Sequence, residues 1–205
     1  MMKIRYVLAV LGLVCAVQAN QILHYDSITP RLQMGGYYVG QSNMTATDIE
    51  GVEDGQFATF CVELSEEIYL GRDYYVVVNT ETAGAGGADP LSPSTAWLYN
   101  EFLSGAISVQ DAQDAVDLQM AMWMLEDEPI TSYFSQSDIT QRAKDWRDDA
   151  LNCGWDDISN IRVLNVTEGN ITRQDVLVKT DEYIPEPATA GLLGLAGLML
   201  LRRRK

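Results

Sequence analysis

The sequence predicts an α+β fold, in which a mostly antiparallel β-sheet or sandwich contains an inserted block of about three helices. Two observations lead to this prediction. Segments that alternate in polarity, or that are rich in β-branched and aromatic residues, lie both before and after the middle of the chain. The middle carries apolar residues at helical spacing, behind residues that commonly cap helices. Strands, then helices, then strands again are typical of an α+β domain.

Four strand-like segments precede the helices and two follow them. Before the helices they are 21–25, 33–39 (interrupted by Gly35-Gly36), 56–64 and 74–78, and after them 161–166 and 175–179. The alternation within 56–64 places Ala58, Phe60 and Val62 on one face and Cys61 on the other. A glycine-rich loop is predicted at 81–90.

Three helices are predicted between these strands. The first begins at Ser92-Pro93, where a serine cap precedes a proline that suits the first turn. The second is predicted to be capped by Ser108 and to run to about Leu125. The third is predicted to begin near Ser137, and its apolar residues at helical spacing are Ile139, Ala143, Trp146 and Ala150.

The first 19 residues have the composition of a secretory signal peptide. Lys3 and Arg5 precede an apolar run, and Val17-Gln18-Ala19 offers small or modest side chains for cleavage. The apolar run is too short to cross a bilayer comfortably. We therefore expect an N-terminal signal helix over 1–19 and an exported domain over 20–184.

The C-terminus carries a second targeting pattern. Pro185-Glu186-Pro187 precedes an apolar stretch, 188–201, and a basic end formed by Arg202, Arg203, Arg204 and Lys205. The stretch predicts a short transmembrane helix whose basic end stays cytoplasmic. This order of features resembles the PEP-CTERM family of sorting tails, and 185–205 would be the sorting signal. The resemblance implies bacterial export, transient anchoring in the inner membrane and recognition by an exosortase-type membrane protease. It also implies a final place at the cell surface or outside the cell, in the company of extracellular polysaccharide and biofilm.

The exported region is strongly acidic. Between the signal peptide and the apolar tail, eight Lys and Arg stand against 29 Asp and Glu, a formal charge of −21. Such a surface repels nucleic acid, so no nucleic-acid partner is expected. The only histidine, His24, argues against a His-based triad or a His-rich metal site, and we expect neither a metal nor a cofactor.

One glutamine stands out in the second predicted helix. At 100° per residue, Gln119 falls near the centre of an apolar arc, whereas Asp114 and Asp117 fall on the opposite face. Burying a carboxamide without hydrogen-bond partners costs about 1–3 kcal/mol. Gln119 therefore requires a partner, or a reaction that consumes it.

A cysteine on a strand, here Cys61 in segment 59–64, followed by a glutamine in segment 118–123 resembles the thioester domains of bacterial surface adhesins. In that family the cysteine thiol attacks the glutamine carbonyl and expels ammonia. The thioester then acylates an amine or hydroxyl of a target and attaches the protein covalently. The resemblance implies that Cys61 supplies the thiol and Gln119 the acyl group, in a single acylation without enzymatic turnover.

Two other functions stay open on the sequence alone. Cys61 and Cys153 remain after removal of the signal, and an exported pair normally forms a disulfide. The protein would then be a non-covalent structural or binding exoprotein, with Gln119 as a hydrogen-bonded core amide. Glu63 paired with Glu66 or Glu67 would instead suit a secreted polysaccharide hydrolase, although no pattern places two carboxylates at glycosidase separation.

Overall fold

A computed structural model of the protein describes residues 21–84 and 87–181. Its main feature is a six-stranded sheet with the order β3-β2-β1-β4-β7-β8, in which every pairing is antiparallel. The strands are β1 (Ile22–Met34), β2 (Tyr37–Thr47), β3 (Gly55–Thr59), β4 (Asp73–Asn79), β5 (Glu81–Thr82), β6 (Asp89–Pro90), β7 (Ile161–Glu168) and β8 (Ile171–Lys179). The short strands β5 and β6 pair separately, within the predicted loop. The α+β prediction is confirmed, with one main sheet instead of a sandwich.

The first two strands form a long hairpin that the sequence pattern divided wrongly. Segment 33–39 was expected to be one strand, but β1 ends at Met34 and β2 begins at Tyr37. Gly35 and Gly36 turn the chain with φ values of +58° and +90°, which glycine adopts at little cost. A β-carbon on Gly35 would also lie 2.7 Å from the carbonyl oxygen of Tyr133, so this turn needs a glycine.

The two edges of the sheet meet just beyond the end of β3. The expected strand 56–64 stops at Thr59, and the chain then crosses to β8. There Cys61 forms a bridge with Val176, the Val62 amide donates to the Asp175 carbonyl at 3.0 Å, and Leu177 donates to Phe60 at 3.1 Å. These bonds satisfy backbone groups that an open edge would leave unpaired.

Three α-helices lie between β6 and β7. They are α1 (Pro93–Ser104), α2 (Ala112–Leu125) and α3 (Gln141–Leu151), with single 3₁₀ turns at Ile130–Ser132 and Gln136–Asp138. The predicted start of α1 is confirmed, because Ser92 accepts a hydrogen bond from the Thr95 amide. The other two starts were placed too early. Asp111 caps α2 by accepting from two amides, and Thr140 caps α3.

Helix α2 is the centre of the domain. All ten residues from 114 to 123 are buried, and they contribute to two apolar clusters. Met120 and Trp123 belong to the cluster that contains the buried apolar residues of β1 and β2, whereas Leu118 and Met122 belong to the cluster that contains residues of α1, β7 and β8. A helix enclosed on both sides presents whatever polar residue it carries to the interior of the protein.

The aspartates opposite Gln119 are therefore buried as well, because α3 packs over that side of α2. Asp114 forms an ion pair with Arg142 of α3, and Asp117 accepts a hydrogen bond from Gln113 Nε2 at 2.7 Å. These partners offset the cost of burying a carboxylate.

The predicted signal helix, the Pro185-Glu186-Pro187 motif and the short transmembrane helix lie outside the described residues, as do Arg202, Arg203 and Arg204. Within 21–84 and 87–181, no helix combines the length and the apolar character needed to cross a bilayer.

Candidate functional site

Cys61 lies where the chain leaves β3 for β8, and its position is fixed by backbone pairing on both sides. Phe60 and Val62, its neighbours in the chain, make the hydrogen bonds to β8, and Cys61 itself forms the bridge with Val176. The residue is buried and carries a free thiol. The sequence pattern placed Cys61 on a face opposite Phe60 and Val62; the structure buries both faces, with Cys61 in one apolar cluster and its neighbours in the other.

Gln119 approaches Cys61 from the second turn of α2, 58 residues further along the chain. Its Oε1 accepts a hydrogen bond from the Cys61 amide at 2.9 Å, and its Nε2 donates to the Cys61 carbonyl at 2.8 Å. The side chain is 1% exposed, so both ends of the carboxamide are paired inside the protein. The structure thus brings together the two residues that the sequence singled out, and it supplies the partner that a buried Gln119 requires.

The surroundings of Cys61 keep its sulfur protonated. Burial raises the pKa of the thiol to about 12, while a hydrogen bond with the Ser42 side chain acts in the opposite direction. A thiol is a much weaker nucleophile than a thiolate. Any reaction of Cys61 in this site therefore depends on close placement of the sulfur and on groups that support its negative charge.

A pocket of about 290 Å³ connects this pair to the surface. Cys61 and Gln119 line it together with Tyr25, Trp123 and Phe134, whose side chains are buried. The mouth is more open, and its large exposed apolar or aromatic members are Tyr37, Tyr38, Tyr69 and Leu70. A small nucleophile can reach the Cys61–Gln119 pair through this pocket, while the apolar walls limit the water around it.

Comparisons with known proteins give a weak structural similarity. No family model matches the chain, and no curated protein matches it either. Among solved structures, the chain is similar to the N-terminal thioester domain of a surface protein from Clostridium perfringens, with 14% identity and a TM-score of 0.48. The similarity covers 77% of this chain and 97% of the Clostridium domain.

The expected alternative, a Cys61–Cys153 disulfide, is not formed. Both cysteines are free. Cys153 follows α3, where its sulfur accepts a hydrogen bond from the Trp155 amide at 3.4 Å, and Trp155 packs in the other apolar cluster. Cys61 instead pairs with Gln119 of α2 and with Val176 of β8.

The carboxylates proposed for a hydrolase do not face each other across the pocket. Glu66 and Glu67 line it, but Glu63 does not. Glu63 is 7% exposed and contacts Gly84, and burial together with the nearby Asp175 carboxylate raises its pKa to about 8. Glu67 accepts a hydrogen bond from the Tyr69 hydroxyl at the surface. Glu63 therefore lies outside the pocket that Glu66 and Glu67 line.

The histidine of the chain does not line this pocket. His24 lies on β1, where its Nδ1 is 2.6 Å from an Asp73 carboxylate oxygen at the protein surface. The described residues contain no group of three or more His, Cys, Asp or Glu side chains that suits a metal ion.

Sequence analysis missed Ser42 and Tyr25, two residues that contact the thiol side of the site. Ser42 lies on the same buried face of β2 as Met44 and Ala46, at a spacing of two residues. A small polar residue in such an apolar series is a sequence signal for a buried functional group. It was overlooked because the strand was predicted to end at Val39.

Proposed function

We propose that the mature domain is an exported bacterial adhesin that forms an internal thioester between Cys61 and Gln119 and uses it to attach covalently to a target. The observation that carries this proposal is the pairing of the Gln119 carboxamide with the Cys61 backbone at 2.9 and 2.8 Å, inside a pocket that opens to the surface. Pairing of this kind holds the two reacting residues next to each other before any chemistry takes place.

Formation of the bond balances without a further reactant. Cys61 Sγ attacks the Gln119 side-chain carbonyl carbon, the bond from that carbon to Nε2 breaks, and the thiol proton leaves on the nitrogen as ammonia. The negative charge of the tetrahedral intermediate develops on Oε1, which already accepts a hydrogen bond from the Cys61 amide. A fixed donor at that oxygen stabilises the intermediate more than the starting amide.

Attachment is the second acyl transfer. An amine or hydroxyl of the target attacks the same carbon, the carbon–sulfur bond breaks, and the proton of the nucleophile passes to Cys61 as its thiol is restored. The target stays bonded to the Gln119 acyl group. Each molecule reacts once, so the protein is not an enzyme in the usual sense.

Export and sorting complete the proposal. The signal peptide would deliver the chain to the membrane, where the tail 185–205 would hold it until an exosortase-type protease processes it. The acidic domain would then reach the cell surface or the extracellular matrix. Its targets there would be surface amines or the hydroxyls of extracellular polysaccharide.

Intact-mass measurement of the purified mature domain tests the chemistry. We expect a mass lower than the sequence mass by one ammonia. Methylamine should then form a covalent adduct that maps to Gln119, and the Cys61 thiol should become free in the same step. Cys61→Ala and Gln119→Ala should each abolish the adduct, because the bond needs both partners.

Two matched controls keep the result specific. Cys153→Ala removes the other cysteine of the mature domain, and Gln141→Ala removes a surface glutamine whose Nε2 donates to Asp145 at 2.8 Å. Both should still form the adduct. A mature domain with its full sequence mass and no reaction with methylamine would refute the thioester and leave a non-covalent exoprotein.

A further inference from the structure

The strand register places two hydroxyl side chains on the same face of the sheet as Cys61. Ser42 of β2 lies directly opposite Thr59 of β3, and Cys61 comes two residues after Thr59. Tyr25 of β1 lies opposite Met44, two residues after Ser42. Because side chains two residues apart share a face, Tyr25 and Cys61 are each diagonal neighbours of Ser42.

These side chains are buried next to one another. The Tyr25 hydroxyl is 2.9 Å from Ser42 Oγ, and the Ser42 side chain lies close enough to the Cys61 thiol to lower its pKa. Both hydroxyl-bearing residues are buried, Ser42 completely. Tyr25 also lines the pocket beside Cys61 and Gln119.

The directions of these bonds follow from the number of protons. Ser42 has one hydroxyl proton, so when it donates to Cys61 Sγ, the bond between Ser42 and Tyr25 needs the tyrosine as donor. A negatively charged sulfur has no proton and can only accept a hydrogen bond. When Cys61 is charged, Ser42 therefore donates to it, and Tyr25 donates to Ser42. Arg31 and Tyr74 are the other ionisable groups that act on Tyr25.

We propose that Ser42 and Tyr25 are positioning residues for the thioester reaction, which hold Cys61 Sγ towards the Gln119 carboxamide and support its negative charge. This role rests on the proposed function. The role applies to formation of the thioester, in which sulfur is the attacking atom, and to its cleavage by an amine, in which sulfur is the leaving atom. Neither hydroxyl gains or loses a proton overall.

The location of Cys61 explains why such support matters. Burial alone works against a charged sulfur, and the Ser42 bond opposes that effect. Hydrogen bonds to charged groups are stronger than those between neutral groups. Tyr25, one bond further away, should contribute less than Ser42.

The first test follows thioester formation after refolding, by the time course of ammonia loss in intact mass. Ser42→Ala should slow formation roughly tenfold or more, and Tyr25→Phe by a smaller factor, as expected for loss of a bond to a charged group. Ser42→Thr keeps the hydroxyl and should recover most of the rate. Tyr99→Phe is the matched control, because it removes a buried tyrosine hydroxyl that donates to the Ala58 carbonyl at 2.8 Å and should leave the rate unchanged.

A second readout separates positioning from general stability. In a Gln119→Ala background, where no thioester forms, the pH dependence of alkylation of Cys61 by iodoacetamide reports the pKa of the thiol. Adding Ser42→Ala or Tyr25→Phe should move the profile to higher pH, and adding Tyr99→Phe should not.

The outcomes distinguish the two proposals. Wild-type protein that never loses ammonia overturns the thioester and, with it, the role of Ser42 and Tyr25. Wild-type protein that forms the thioester while Ser42→Ala and Tyr25→Phe form it equally fast, with unchanged alkylation profiles, overturns the positioning role alone.

Discussion

Replacing Gln119 by leucine should destabilise the domain strongly, even where no thioester can form. The suitable background is Cys61→Ala, which removes the thiol but keeps the backbone amide and carbonyl of residue 61. Leucine has a similar size but cannot pair with them, so the two bonds of 2.9 and 2.8 Å are lost together. Both backbone groups then remain buried without a partner.

The magnitude follows from those two groups. An unsatisfied buried donor or acceptor costs about 1–3 kcal/mol, so the pair should lower the free energy of unfolding by about 2–6 kcal/mol. Added burial of the leucine side chain offsets part of this loss, which favours the lower half of that range.

Urea unfolding, monitored by tryptophan fluorescence, measures the effect. The midpoint should fall while the dependence on urea concentration stays the same, since the surface exposed on unfolding hardly changes. Gln141→Leu in the same background is the control; its amide bonds an exposed aspartate, and we expect a change within about 0.5 kcal/mol. Equal midpoints for the two variants would show that Gln119 is not paired with residue 61 in solution.

Two further predictions concern the tail and a buried acid. Glu186→Ala should leave the tail uncut in the membrane fraction, because it removes part of the recognition motif. Neutral residues in place of 202–205 should have the same effect, because they remove the charge that fixes topology. If either variant is still processed to the size and location of the wild-type mature protein, the sorting proposal is wrong. Burial raises the pKa of Glu63 from 4.5 to about 8, so the folded protein keeps a proton that the unfolded chain releases between these values. Stability from this group should therefore fall as pH rises through that interval. Glu63→Gln, which resembles the protonated acid, should weaken the pH dependence in urea titrations at pH 5 and pH 8; an identical dependence in both proteins would contradict this assignment.

The sequence alone determined the order of strands and helices, and it singled out Gln119 as a buried polar residue. Period-two and helical patterns are local properties, so they predicted the order of strands and helices and the capping of α1 by Ser92. The same local geometry placed Gln119 among apolar residues and so marked it as a buried amide that needs a partner. Exact helix starts were less accessible, because Ser108 and Asp111 are both suitable caps and only the folded chain selects one.

Tertiary structure decided which distant residues meet. Alternation in 56–64 cannot say that the chain leaves β3 after Thr59 and joins β8, yet that crossing is what places Cys61 beside Gln119. The pattern on α2 likewise cannot reveal that α3 covers Asp114, or that Ser42 lies diagonally from Cys61. Strand pairing and helix packing join residues far apart in the chain, and their free energies depend on the partner surface, which no local period records.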